Sequence, residues 1–310
     1  MANQVRSNIP LAYSNIFIHD WVETEQGDDQ LREYTKLFDI KTSERAFEQE
    51  VIFTGFDAAP EKPEGSAYNY DSSTQGTVTT YRIFTYASGY QVSQEAQEDG
   101  YGRELISKMT PLLKRSLMIT INQIGANVLN EGFTTNSINP TGDGVPLFST
   151  SHPTRAGLQS NILTTPADLS YSSLLDLITQ AMNAKSDRNN PTPLTPEMLV
   201  VPVQLWNTGT TILQTAGAPG VANNDVNAIQ AYGNLFPKGM CVNHYLTDPD
   251  AWFIKTDAVD GMVMYERIPI AIQPVDSTVS VAGDIQVRGR WRGAANVTNF
   301  RGIFGTQGAA

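Results

Sequence analysis

Apolar side chains recur in steps of three and four across residues 101–133, at Leu105, Met109, Leu112, Leu113, Leu117, Ile121, Ile124 and Val128. That spacing places them on one face of a single long amphipathic helix. Glu98 and Asp99 ahead of Gly100 favour a helix start, and Gly132 favours an end. Pro111 lacks an N–H and predicts a kink, or a short first helix running into a longer second one. About 30 residues at about 1.5 Å each reach roughly 45 Å, against a radius of gyration near roughly 20 Å for a compact chain of this length. Such a beam needs a sizeable cover for its apolar face.

The pattern elsewhere is less regular. Residues 1–45 hold two short helical patterns, 9–21 and 28–38, with Leu11, Ile16, Phe17, Trp21, Leu31, Tyr34, Leu37 and Phe38 as anchors. These are too few for a separate core, so the stretch reads as an arm that lies on another surface. Across 46–90, Phe47, Val51, Phe53, Val78, Tyr81, Ile83, Phe84, Tyr86 and Tyr90 flank a polar, turn-rich centre around Pro60-Glu61-Lys62-Pro63-Glu64-Gly65. The reading is two extended arms joined by a long tip, a ribbon that is marginal alone and that a neighbouring subunit is suited to receive.

After the helix comes a turn-rich loop, 136–153, and then a second helical pattern over 170–185, with Leu174, Leu175, Ile178, Ala181 and Met182 on one face and Ser170 as its cap. Met198-Leu199-Val200-Val201, between Pro196 and Pro202, reads as a buried strand, followed by a helix over 205–213. A Gly/Asn-rich loop, 216–225, precedes strands at 240–245 and 251–255, and the alternation suggests a small α/β lobe. The tail is strand-like at 264–265, 268–272, 285–291 and 297–304, with Arg267, Arg288, Arg290, Arg292 and Arg301 spread through it. These strands are the candidates for the sheet that covers the long helix.

Composition narrows the function. Lys+Arg 21 against Asp+Glu 32 leaves a formal charge of −11, which repels phosphate as a whole and argues against sequence-reading nucleic-acid binding. The one cysteine, Cys241, lies in an apolar run and reads as a buried, inert thiol. No apolar run approaches the ~18 residues of a membrane span, and MANQVRSNIP lacks the features of a signal peptide, so the protein is expected to be made and kept in cytoplasm.

Candidate chemistry is sparse. Ser149 and Ser151 beside His152, with Asp143 upstream, are the best case for a hydrolase, but a triad must converge through tertiary structure and no G-x-S-x-G elbow is present. The alternative is a tight, Pro-terminated turn with a hydrogen-bonded His. Cys241 and His244 are two ligands short of a structural zinc site. Asp248, Asp250, Asp257 and Asp260 fail the spacing of a calcium loop. Arg288-Gly289-Arg290-Trp291-Arg292 interleaves base and aromatic as single-strand binders do, yet in a period-2 strand alternating exposed Arg is ordinary and suits acidic neighbours. No catalytic, cofactor or metal residue is expected. Protruding elements without chain to bury them argue instead for assembly with copies.

At this point the residues resemble a known family. Tyr34-Thr35-Lys36-Leu37-Phe38 with Lys41-Thr42-Ser43, Thr54-Gly55-Phe56 with Ala59-Pro60-Glu61-Lys62-Pro63-Glu64-Gly65, Leu147-Phe148-Ser149-Thr150-Ser151-His152-Pro153 and Leu199-Val200-Val201-Pro202 stand in this order. Val242-Asn243-His244-Tyr245-Leu246-Thr247-Asp248-Pro249-Asp250-Ala251-Trp252-Phe253 and Arg301-Gly302-Ile303-Phe304-Gly305 follow. Together they resemble the major capsid proteins (major head subunits) of tailed double-stranded DNA phages, Mu-like, with the Hong Kong 97-type α+β capsid fold shared by encapsulin shells.

The resemblance implies an N-terminal arm (1–45), an extended E-loop hairpin (46–90), a peripheral domain with a spine helix (91–160 and 262–310) and an axial domain (161–261). It implies intersubunit contacts at Pro60, Lys62, Pro63 and Gly65 on the E-loop tip, laid across the neighbour's peripheral domain. It implies others at Gly217, Pro219, Gly220, Asn223 and Asn224, near the centre of each ring. Hexamers and pentamers would form an icosahedral head around double-stranded DNA held without sequence specificity, with scaffolding, portal and decoration proteins as partners and no membrane. Some relatives carry a scaffolding segment before the arm; here the arm begins almost at Met1, so scaffolding is expected from a separate protein or not needed. Lys62 reads as a solubilising charge rather than a cross-linking lysine. An encapsulin-like compartment is the alternative within the fold, and a serine hydrolase using Ser151, His152 and Asp143 the alternative outside it.

Overall fold

The computed structural model describes residues 32–99, 102–135, 141–220, 225–233, 235–275 and 284–309. The beam is a helix of 29 residues, Gly102–Asn130, with Leu113, Leu117, Met118, Ile121, Ala126, Val128 and Leu129 buried. It runs uninterrupted through Pro111, whose ring is exposed, so no first helix ends at the proline; a separate short helix, Gln94–Glu98, precedes it. The Tyr90 hydroxyl donates to the Ile106 carbonyl at 3.2 Å and lies 2.8 Å from Thr110 Oγ1, which ties this first part of the helix to the sheet beside it.

That sheet has the order β1 (Asp39–Thr42), β10 (Met262–Val275), β11 (Ile285–Val297) and β4 (Phe84–Val92), with β1 parallel to β10 and the other pairs antiparallel. Alternation along β11 turns Val287, Gly289 and Trp291 inward and leaves Arg288 and Arg290 exposed. Gly289 sets the spacing: a Cβ there would stand 2.8 Å from Leu117 Cδ1 and 3.3 Å from Leu113, so only a bare backbone lets strand and helix close. The tail strands thus cover the helix as expected.

A second sheet, in the order β12 (Ile303–Thr306), β9 (Trp252–Thr256), β7 (Pro196–Pro202) and β8 (Met240–Asn243), is covered on both faces, which is why the centre of β7, 198–201, and the start of β9, 252–254, are continuous apolar runs. Leu199, Val201, Trp252 and Ile254 face one cluster with Leu174, Leu177 and Ile178 of the helix Tyr171–Met182 and Ile212 of the helix Trp206–Gln214. Met198, Val200 and Phe253 face the other, shared with Ile121, Val128, Leu129 and Trp291. Ser170 caps the first of these helices through a capping box with Ser173.

Two readings differ from the structure. Phe84–Val92 is not part of the projecting ribbon: it pairs with β11, because Tyr86 and Tyr90 turn onto the core and the long helix. Residues 297–304 are not one strand: β11 ends at Val297, Asn299 caps a 3-10 turn at Phe300–Gly302, and β12 joins the second sheet. Of the arm, Tyr34–Leu37 is a short helix whose Tyr34 and Leu37, with Phe38, are buried on the chain's own core, and the Tyr34 N–H donates to Asn122 Oδ1 at 3.1 Å. The helical pattern at 9–21 lies outside the described residues.

Candidate assembly surfaces

The one constellation that resembled an active site is built as a support. Its short hairpin, β5 (His152–Thr154) with β6 (Gly157–Gln159), puts the His152 ring in the interior, stacked on Phe300 with centroids 4.0 Å apart. His152 Nδ1 lies 2.6 Å from Asp143 Oδ2, and Nε2 lies 3.0 Å from Asn161 Oδ1 and 3.2 Å from the Leu147 carbonyl. Ser151 Oγ lies instead 3.1 Å from Ser149 Oγ, so the serine, base and carboxylate do not form a relay. Burial alone would raise the Asp143 carboxyl, but the hydrogen bond and charge of His152, the Val145 N–H and Thr141 hold it below the usual range. Asn161 completes the hub, its Nδ2 donating to the carbonyls of Leu147 at 2.7 Å and Ile303 at 3.1 Å.

The other candidate groups are dispersed. Cys241 is buried and its thiol is pushed up to about 11 by that burial, whereas His244 points outward onto Glu33, 2.5 Å from Nδ1. Asp248 accepts from the Asp250 N–H in a turn, Asp257 accepts from the Thr195 N–H, and Asp260 pairs with Lys41. Among the described residues no three His, Cys, Asp or Glu gather as a metal site, and no helix is long and apolar enough to cross a membrane.

The ribbon carries the more telling geometry. β2 (Phe47–Phe53) pairs antiparallel with β3 (Gln75–Arg82), and residues 54–74 form the tip. In an ordinary half-covered strand the apolar face turns inward; here it turns out, with Phe47, Val51 and Phe53 exposed, Phe53 to 68%. The polar face turns in. Glu50 accepts from Lys41 Nζ at 2.7 Å, from Thr298 Oγ1 at 2.5 Å and from the Tyr265 hydroxyl, while Lys41 also reaches Asp260 at 2.7 Å. Burial would raise the Glu50 carboxyl, but these donors hold it below the usual carboxylate range. The fully buried Tyr81 on β3 completes the knot, its hydroxyl 2.6 Å from Thr298 Oγ1.

Further along, the buried Arg188 guanidinium donates to Asp57 at 2.8 Å, to Asp71 at 2.8 Å and to the Ser72 carbonyl. The ribbon base therefore lies on its own chain, which the sequence reading did not foresee, and the outer face is what remains uncovered. The signal was present in the alternation Phe47-Glu48-Gln49-Glu50-Val51-Ile52-Phe53, which leaves the side that faces home undecided.

At the tip, Pro60, Lys62, Pro63 and Gly65 are all exposed, Gly65 adopts φ +78, and the Ser66 N–H closes the turn on the Pro63 carbonyl at 3.2 Å. Lys62 Nζ lies 5.0 Å over the Tyr68 ring. The other predicted surface is a turn drawn together by Gly217 opposite Val226 and by Ala218 N–H donating to Asp225 at 2.8 Å; Pro219 and Gly220 lie in it. Asn223 and Asn224 lie outside the described residues. Trp206 and Tyr232, in the same lobe, are exposed and were not singled out from sequence.

Comparison with known proteins gives these surfaces a setting. No curated protein sequence matches the chain. Solved structures share its fold at low identity. The capsid of an empty GTA particle aligns over 100% of both chains at 11% identity and TM-score 0.59. A structure of Mycobacterium phage Adephagia aligns over 100% of this chain and 99% of its own at 10% identity and TM-score 0.57. A virus-like particle from Pyrococcus furiosus aligns over 90% and 98% at 11% identity and TM-score 0.50. The Hong Kong 97-type capsid fold implied by the sequence is the fold found. The phage capsid protein model matches residues 76–305, from the start of β3 to the end of the second sheet. The role is structural, in the shell of a virion. With most of its length matched, the chain belongs to the phage capsid protein family.

Proposed function

We propose that this subunit closes into hexamers and pentamers of an icosahedral head around double-stranded DNA, with no catalytic step of its own. The observation that carries the reading is the inverted ribbon: a charged inner face satisfied by the home subunit and an apolar outer face, Phe47, Val51, Phe53, Phe56, Tyr68 and Tyr70, that only another copy covers. Pro60, Lys62, Pro63 and Gly65 would sit on the neighbour's peripheral domain, and Gly217, Pro219, Gly220, Asn223 and Asn224 near the ring centre. The chain's negative charge suits DNA that is confined rather than gripped, and scaffolding, portal and decoration proteins are the expected partners.

Electron microscopy and sizing chromatography of the protein expressed alone test this. Closed particles, rings or tubes support it. Protein cargo in place of nucleic acid inside the phage-assembled particle would favour a compartment shell. A monomer or dimer that stays so after a scaffolding protein is supplied would overturn it.

A further inference from the structure

Residues 55–73 of the ribbon tip hang from their own subunit by one side chain. Among the described residues, every hydrogen bond and ion pair that joins this segment to the chain outside 54–74 is made by Arg188. Its guanidinium takes both arms of the tip at once. Nη1 lies 2.8 Å from Asp57 Oδ2 and 2.8 Å from Asp71 Oδ2, and Nη2 donates to the Ser72 carbonyl. The arms are also joined to each other at this point, the Asp57 N–H donating to Asp71 Oδ2 at 3.0 Å.

The turn that presents Arg188 is fixed by its own hydrogen bonds. Ser186 Oγ accepts from the Arg188 N–H at 3.3 Å and from the Asn190 N–H at 3.1 Å, and the Ser186 N–H donates to the Asn190 carbonyl at 2.8 Å. Asn189 completes the turn at φ +68, a conformation that asparagine tolerates. Beside Arg188, Asp187 pairs with the buried Arg301 at 2.7 Å, and its carbonyl accepts from the Ala156 N–H at 3.0 Å. Arg301 also donates to the Lys185 carbonyl at 2.7 Å and lies over Phe300, the ring on which His152 stacks. Asp187 therefore fastens the turn to the interior hub, and Arg188 carries that position outward to the ribbon.

The ribbon base has a different anchor, the knot of Glu50 with Lys41, Thr298 and Tyr265. One anchor leaves a pivot; two fix a direction. We propose that Arg188 is the positioning residue of the ribbon: with the Glu50 knot as pivot, it sets the direction in which the tip leaves the subunit and holds the tip preorganised for assembly. This rests on the assembly reading and names the residue of the home subunit that readies its ribbon. Order already present in the free subunit is not lost again on contact, so the brace lowers the concentration at which copies join. It contributes little to the fold itself, because the Asp57 and Asp71 side chains it holds are 59% and 33% exposed.

Spin labels on Lys62→Cys and Asp176→Cys, both exposed positions, read the direction of the tip in subunits held below the assembly concentration, while the buried Cys241 stays unlabelled. Arg188→Ala, and separately Asp57→Asn with Asp71→Asn, broaden the distance distribution at an unchanged thermal midpoint. In the chain without labels, each raises the protein concentration needed for assembly about tenfold. Combining all three substitutions moves neither readout further, because both variants break the same bonds. Arg188→Lys, which keeps the charge but not the fork, restores both in part.

A distance distribution that Arg188→Ala leaves unchanged overturns the proposal. So does a broadened distribution with assembly at or below the wild-type concentration, which would make Arg188 a tether without a part in assembly or a latch that holds the ribbon back. Should Arg188→Ala fail to fold, the asparagine pair on the exposed side of the brace gives the same two readouts. Failure of the wild-type protein to assemble under any condition, scaffold included, would instead remove the function proposed above, and the spin-label result would still decide whether Arg188 directs the ribbon.

Discussion

Glu50→Gln isolates the knot that fixes the ribbon to its own subunit. The substitution keeps the shape and removes the charge that accepts from Lys41 at 2.7 Å and Thr298 at 2.5 Å. Charge-assisted bonds are worth roughly 1.5–3 kcal/mol each, and breaking a fully buried pair roughly 3–5 kcal/mol. Lys41 retains Asp260 and its side chain is 38% exposed, so solvent takes up part of the loss. The expected cost is about 2 kcal/mol, felt at the ribbon base rather than across the whole subunit.

Hydrogen exchange on subunits held below the assembly concentration reads it. The Ile83 and Thr54 amides, bonded to Ala46 and Thr74, should open about 30-fold more often in the variant. The pH dependence carries a sign. Burial would raise the Glu50 carboxyl, but Lys41, Thr298 and Tyr265 hold it below its ordinary 4.5, so its contribution is present above that value and lost as pH falls through the lower folded one. Burial would lower the Lys41 amine, but Asp260 and Glu50 raise it, so its contribution is complete below 10.5 and is lost only as pH rises through a higher folded value. The gap between wild type and variant is therefore flat between these limits and shrinks at acid pH. Unchanged exchange at neutral pH, or a gap that persists undiminished at about pH 3, would refute the knot as an electrostatic latch.

Other expectations are more local. Phe47→Ser with Phe53→Ser should leave subunit stability within about 0.5 kcal/mol, since both side chains are exposed, yet abolish particles seen by light scattering. His152→Ala should cost about 2–4 kcal/mol in denaturant unfolding by stranding Asp143 and Asn161, whereas Ser151→Ala costs little; a chromogenic ester hydrolysed by wild type and spared by both variants would revive the hydrolase. Gly289→Val should lose about 1–3 kcal/mol or more, read as a lower Tm, because its Cβ meets Leu117 at 2.8 Å. Cys241 should resist a thiol reagent in the native subunit and react on unfolding; rapid native labelling would contradict its burial.

The elements that were legible are those whose periodicity has one solution. The long helix and the buried run of β7 follow from spacing and flanking prolines, and Ser170 caps where its position suggests. What spacing did not disclose is long-range. Nothing near Arg188 in sequence indicates Asp57 and Asp71, more than 110 positions away, as its partners. The period-2 pattern of Phe84–Val92 is the same whether the strand projects or joins a sheet, and Tyr90 is decided by its bond to Ile106. Asn299 turns the tail from one sheet to the other through a cap that a continuous apolar reading overlooks. At the surfaces, the resemblance pointed to the tip, while the outward facing of Phe47, Val51 and Phe53 became visible only once Glu50 was seen to turn onto Lys41 and Thr298.

The inverted ribbon also decides between two uses of the same strand. A one-residue shift of facing would turn Phe47, Val51 and Phe53 inward and release Glu50 to solvent. Phe47, Val51 and Phe53 are 54%, 37% and 68% exposed, so covering what stays open is worth roughly half of about 1.5–3 kcal/mol each, about 2–5 kcal/mol in all, the same order as the roughly 2 kcal/mol estimated for the knot. The facing observed keeps the knot and leaves that apolar area for an external cover. A second copy that supplies the cover must present a different surface, since its own ribbon is held by its own Lys41 and Arg188. A contact in which each subunit gives a ribbon and receives another is heterologous, and such contacts close into rings when the rotation permits. The side-chain facing of seven residues thus favours a subunit covered by copies of itself, on physical grounds independent of the family match.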